Sequence, residues 1–251
     1  MASMRSILTL AVAWMSLLGI ASPASAFFEA FSTLSDELKA IEQSSPEGLG
    51  NLLEKLDATS TTKFGDVRST DWFYRYVFSV ARWGIASGYK NAAGQPTGIF
   101  GPGNTVTVAE ILKMALKSAQ VDETQCRGTP WFAQGEKHWA RAYVLCAQER
   151  NMRLIQSAPD LNRPARRAEV LSVIFDAFGD EPPPLFSPFK DTVNHPLESD
   201  IAYAAALKMV SGDKDAAGNP LGTFRPNDPI VRAEAAKIIY ERLRVEVMGK
   251  E

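Results

Sequence analysis

The chain has 251 residues, with 27 Lys and Arg against 29 Asp and Glu for a formal net charge of −2. That balance, with no basic run, argues against a nucleic-acid partner. An apolar share of 45% is too high for a disordered polymer, so a packed domain is expected.

The N-terminus reads as a secretory signal over residues 1–26. Arg5 is the only charge of its start, an apolar run spans Ile7 to Ile20, and Ala24-Ser25-Ala26 offers small residues for cleavage before Phe27. The run is short for a membrane anchor, which needs about 20 apolar residues. The chain is therefore expected to be exported, with no transmembrane segment in its mature form. Residues 27–63 read as a helical hairpin and linker. Phe27, Phe31, Leu34, Leu38 and Ile41 fall at helical spacing, Ser45-Pro46 opens a second short helix, and residues 58–63 are rich in Ser and Thr. The hairpin's apolar side is a candidate surface for a protein partner.

Beyond it the chain writes one block twice. Residues 88–110 align without a gap on residues 212–234, from Gly88 and Gly212 through Phe100-Gly101-Pro102 and Phe224-Arg225-Pro226 to Glu110 and Glu234. A worn copy ends at Arg166-Arg167-Ala168-Glu169. Repetition at this period predicts stacked supersecondary units that share a core. The copies are placed at 64–119, 129–178 and 186–243, with a C-terminal tail at 244–251.

Each copy reads as helix–loop–helix, so the fold class is all-α, with at most tiny strand pairings in the loops. In the first copy Asp71 is expected to cap a helix carrying Trp72, Tyr76, Val77, Val80 and Trp83, ended by Gly84 and Gly88. Phe100 is expected to plug the loop. The second helix starts near Thr107 and buries Ile111, Leu112, Ala115 and Leu116. The middle copy has a shorter loop, and in the last copy Pro196 or Leu197 stands where Trp72 and Trp139 stand in the others. Cys126 and Cys146 are the chain's two cysteines. In an exported protein they read first as a disulfide, with two buried thiols as the alternative.

These motifs resemble the S-layer homology (SLH) domain. The resemblance rests on Phe64-Gly65-Asp66-Val67, Trp72, Gly84 to Tyr89, Phe100-Gly101-Pro102 and Thr107 to Glu110. In the last copy it rests on Val210-Ser211-Gly212, Phe224-Arg225-Pro226 and Val231 to Glu234, while Phe189-Lys190-Asp191 aligns with Phe64-Gly65-Asp66. It implies three SLH repeats, the second degenerate, arranged as a pseudo-threefold bundle of helices. It also implies non-covalent attachment to cell-wall polysaccharide at the cell surface, often polymers carrying ketal-linked pyruvate.

Thr107 and Glu110 have the spacing of a capping box, so Glu110, Glu169 and Glu234 read as structural before ligand-binding. Arg167 and Arg232 fall at the first helical position. There a ligand carboxylate would meet unpaired amides and a two-pronged guanidinium; a solvated side chain or an inter-repeat salt bridge is the alternative. Val108 occupies that place in the first copy, so binding is expected through the second and third copies. Trp72 and Trp139 are read first as core residues, with stacking on a sugar as the alternative. Gly88 and Gly212 suit a positive φ or a close backbone approach, and under the resemblance also leave room for saccharide. Arg225 is a further candidate polymer contact. Asp213 and Asp215 hint at a calcium loop but lack its closing acid, so no metal is expected. His138 and His195 sit in no nucleophile motif, and neither an enzyme nor a cofactor is expected. The remaining alternative is a protein-interaction scaffold in the cell envelope that has lost its glycan site.

Overall fold

The computed structural model describes residues 64–248, with side chains through residue 246. The expected signal peptide, the helical hairpin and the last tail residues lie outside them. The described residues form α1 (Tyr74–Arg82), α2 (Val108–Ser118), α3 (Ala133–Lys137), α4 (Arg141–Glu149), a 3₁₀ turn (Arg153–Ser157), α5 (Arg167–Phe178), α6 (Glu198–Ala206) and α7 (Arg232–Met248). The class is all-α. Among the described residues, strand geometry is limited to isolated bridges such as Lys90 with Pro96 and Lys214 with Pro220.

α1 begins after Asp71. Asp71 caps nothing: its carboxylate accepts from the Arg68 amide at 2.8 Å and so closes the preceding turn. The helix buries Tyr76, Val77, Phe78 and Val80. The chain leaves it through Gly84 at φ 67°, and leaves α4 and α6 through Asn151 at 52° and Lys208 at 59°. These three left-handed residues set the copies in register. They also place Ile155, only 2% exposed, at the position of Gly88 and Gly212.

The Phe-x-Asp opening of each outer copy is a clasp on its own loop. Phe100 is wholly buried, its ring 5.3 Å from that of Phe64. Asp66 accepts from the amides of Phe100 at 2.9 Å and Gly101 at 2.7 Å. Asp191 repeats this with Phe224 at 2.9 Å and Arg225 at 2.8 Å. The middle copy carries an altered clasp in Phe132-Ala133-Gln134, a motif the sequence reading missed. Gln134 accepts from the Leu161 amide at 3.0 Å and donates to Asp160 at 2.8 Å.

The clasp explains the glycines. A Cβ on Gly88 would lie 2.5 Å from the Ile99 carbonyl oxygen and 2.6 Å from the Phe64 ring. Its φ is not left-handed, so close approach alone requires glycine there. Gly212 meets both demands, with φ at +68° and a Cβ position 2.4 Å from the Phe189 ring.

The copies interlock. α2 packs on α4, α5 on α6, and α7 on α1, so each copy's second helix covers the first helix of the next. Three backbone hydrogen bonds close a ring just ahead of the second helices: Val106 N–H to Ile230 C=O at 3.0 Å, Ile230 to Ala165 at 3.1 Å, and Ala165 to Val106 at 2.8 Å. All three residues are fully buried. This is how helix pairs that cannot bury their apolar sides alone come to share a core. Ile111, Leu112, Ala115 and Leu116 are buried in it as expected. The Cys126–Cys146 disulfide forms, with Cα atoms 5.2 Å apart, and ties the segment after α2 to α4.

Candidate functional site

The expected capping roles hold for the three glutamates. Glu110 accepts from the Thr107 amide at 2.9 Å, Glu169 from Arg166 at 2.9 Å and Glu234 from Val231 at 3.2 Å. The Thr107 hydroxyl completes the box by accepting from the Glu110 amide at 3.2 Å.

The amides beside them are not open to a ligand. The first two N–H groups of α2 donate to the carbonyls of Arg163 and Leu161, those of α5 to Asp228 and Pro226, and those of α7 to Asn104 and Pro102. Each pair is used by the loop of the following copy. The expected anion cradle of unpaired amides is therefore absent: inter-copy closure consumes the donors it would need.

The arginines are equally committed. Arg232 is 4% exposed. It donates to the Phe100 carbonyl at 2.9 Å, the Ser87 carbonyl at 3.4 Å and Glu110 at 3.1 Å, and lies over the Phe100 and Tyr89 rings. Arg167 donates to the Phe224 carbonyl at 2.9 Å and to Glu234 at 2.7 Å. Of the readings open for these residues, the inter-repeat salt bridge is the one observed. Each arginine pairs with the capping glutamate of the next copy.

By that rule Val108 should leave Glu169 without its partner. Arg163 supplies one from within the same copy, with hydrogen bonds of 2.7 and 2.8 Å. Burial works to raise the Glu169 carboxyl, but the Arg163 fork, the Arg166 amide and their charges hold it below the usual glutamate range. A depressed folded-state pKa stabilises the fold above the unfolded value and is lost as pH falls through the folded one. Melting curves from neutral pH to about pH 3 should therefore show acid destabilisation, and it should be shallower in Arg163→Gln. An identical pH profile in that variant would exclude the pair as a contributor.

A groove of about 530 Å³ opens where three copies meet. Gly88 and Tyr89 of the first loop, Glu110 and Lys113 of α2, Trp139 ahead of α4 and Arg232 of α7 line it. Trp139 is 58% exposed, contrary to its first reading as a core residue, because it sits just outside the helix whose inner face is buried. The Lys113 Nζ lies 6.0 Å from the Trp139 ring centroid. Burial lowers the Lys113 pKa, and the charges of Lys117, Lys90 and Arg232 lower it further. The groove thus combines an exposed aromatic face with an excess of positive charge. Arg232, Gly88 and Trp139 of the candidate residues meet there; Lys113 was not among the candidates.

A family model described as the S-layer homology domain matches residues 188–236. The chain carries an S-layer homology domain. SLH domains are generally cell-wall anchoring modules, which associates the chain with the cell surface or wall. No curated protein matches the chain.

The matched SLH segment contains both halves of the last clasp, Gly212, Arg225, Arg232 and Glu234. Arg225 is half-exposed, and its guanidinium is closed on Asp213 at 2.8 Å with Asp228 at 3.3 Å. Asp213 also accepts from Thr223, while Asp215 accepts from the Ala217 and Asn219 amides, so the loop's acids are occupied by the loop itself. Trp72, also expected in the core, is 58% exposed and edge-on to Phe73 and Tyr76. The SLH segment also shows which residue replaces the tryptophan. His138 and His195 accept from Ala140 and Leu197 and face Asn162 and Asn227, so Pro196 corresponds to Trp139. The groove lysine had a signal just beyond the repeated block, since Lys113 and Lys237 each follow the capping glutamate by one helical turn.

Proposed function

We propose that the chain is an exported, non-catalytic module that holds itself or a partner to the cell surface by binding an anionic wall polysaccharide in the Trp139 groove. The observation that carries this reading is the exposed Trp139 face beside Lys113, Lys90 and Arg232. An aromatic plane can cover a sugar ring, and the surrounding cations favour a polymer bearing carboxylates.

The groove is composite. Its tryptophan comes from the middle copy, its glycine and lysine from the first, and its arginine from the last. Val108 therefore bears on the interface of the middle copy, not on this groove. The corresponding residues of a second groove would be Trp72, Lys237, Gly212 and Arg167. This replaces the expectation that each copy binds with its own arginine.

A pull-down on purified wall sacculi tests the reading. Intact protein should sediment with sacculi, and Trp139→Ala should weaken binding about tenfold or more, as buried aromatic anchors do. Its melting temperature should hardly change, because the ring is mostly exposed. Failure of the intact protein to sediment would favour the interaction-scaffold alternative, and undiminished binding by Trp139→Ala would place the glycan elsewhere.

A further inference from the structure

Arg232 cannot offer a fork to a ligand carboxylate without giving up bonds that join the first and last copies. Its donors face the Phe100 carbonyl, the Ser87 carbonyl and Glu110, and almost none of its surface reaches solvent. Lys113 is differently placed. It lines the same groove, and among the described residues it forms no ion pair; its ammonium lies over the Trp139 ring. The charges of Lys117, Lys90 and Arg232 act against its own, and that of Glu123 acts with it. Glu110, the carboxylate in the groove, is spent on Arg232 and on the Thr107 amide. An incoming carboxylate would relieve that crowding of like charge.

The middle copy separates what the fold needs from what the groove needs. Glu169 retains its capping bond there, so the helix start is preserved. Yet the position of Lys113 and Lys237 is held by Ser172, which is 2% exposed, and that of Gly88 by buried Ile155. The tryptophan position is Pro196 and the arginine position is Val108. The lysine is thus lost together with the tryptophan and the glycine, while the capping glutamate stays.

Resting on the wall-glycan reading above, we propose that Lys113, not Arg232, is the anion-contact residue of the groove, and that the groove takes carboxylated polysaccharide by charge, without a two-pronged fit. A lysine ammonium is a point charge on a flexible stem, whereas a guanidinium demands planar bidentate geometry. The groove therefore accepts uronate sugars as well as pyruvate ketals, and it loses affinity steeply with salt.

Binding of the full chain to wall sacculi and to oligogalacturonate, with its methyl ester as the neutral control, tests this. Both acidic ligands should bind at low ionic strength and the ester should not. Lys113→Gln should weaken both at least fivefold with an unchanged melting temperature, and Lys113→Arg should restore binding to within about threefold, since it keeps the charge. Equal binding by Lys113→Gln and the intact chain overturns the assignment, and a lowered melting temperature in that variant would mark the lysine as structural. Sacculi bound without oligogalacturonate, or ester bound as well as acid, overturns recognition by charge. An intact chain that binds neither acidic ligand defeats the wall-glycan reading itself, and this inference with it.

Discussion

Arg232→Ala should destabilise the fold by about 3 kcal/mol, because removing one partner of a buried ion pair strands the other. In a domain of this size that is roughly a 6–12 °C fall in melting temperature. The side chain is 5% exposed and spans two copies, so the loss includes its bonds to the Phe100 carbonyl and to Glu110. Glu110 keeps the Thr107 amide and is partly exposed, which holds the cost near the lower end of what such pairs show. Arg225→Ala is the matched control. Its guanidinium is also doubly paired but half-exposed, and its removal should cost under about 1 kcal/mol. Urea melts of the two variants check the contrast; equal, small effects would mean that the inter-copy pair contributes little. Loss of wall binding in Arg232→Ala is accordingly no measure of ligand contact unless the variant is shown to be folded.

Removing the disulfide is the second large effect. Replacing Cys126 and Cys146 with serine, or reducing the bond, should cost about 3 kcal/mol, the loop-closure entropy expected for residues 20 apart in sequence. Around Cys126 the segment after α2 is otherwise held to α4 by a few polar contacts: the partly buried Tyr143 hydroxyl to Glu123 at 2.9 Å, Arg127 N–H to Glu149 at 2.7 Å and Arg141 to the Gly128 carbonyl at 2.9 Å. Such bonds hold a loop weakly once the covalent tie is gone. Urea melts with and without reductant give the number directly, and coincident curves would show that the tie adds nothing to the folded state.

Much of the fold was legible in the repeated block. The second helices, the Phe100 plug and the capping glutamates follow from local chemistry that a single copy contains, and the disulfide from the pairing of the chain's two cysteines. What was not legible lies between copies. Aligning the copies assigns each arginine to the copy that carries it, but Arg167 and Arg232 reach forward to the next copy's glutamate, so the meaning of Val108 shifts by one unit. The same closure consumes the helix-start amides, which no one-copy reading reveals. Trp72 and Trp139 look like core residues because they adjoin apolar helix starts; only the exit direction of the chain puts them outside. Gln134 was missed because an amide replaces the carboxylate of the clasp while still accepting from the loop amide. Lys113 recurs as Lys237 three residues beyond the end of the repeated block, where a lysine on a helix most often marks a solvated face.

The packing of α7 on α1 has a consequence for how the molecule comes into being. The helix made earliest among those described has its principal partner in the helix made last, and α2 and α5 supply α1 with no comparable cover. Nor can the backbone ring close until Ile230 is present, because that residue both accepts from Val106 and donates to Ala165. A nascent chain therefore lacks a finished core until its C-terminal helix emerges, and contacts so distant in sequence form slowly. Under the proposal that the chain is exported, that delay would keep the polypeptide threadable through a translocation channel and postpone folding to the far side.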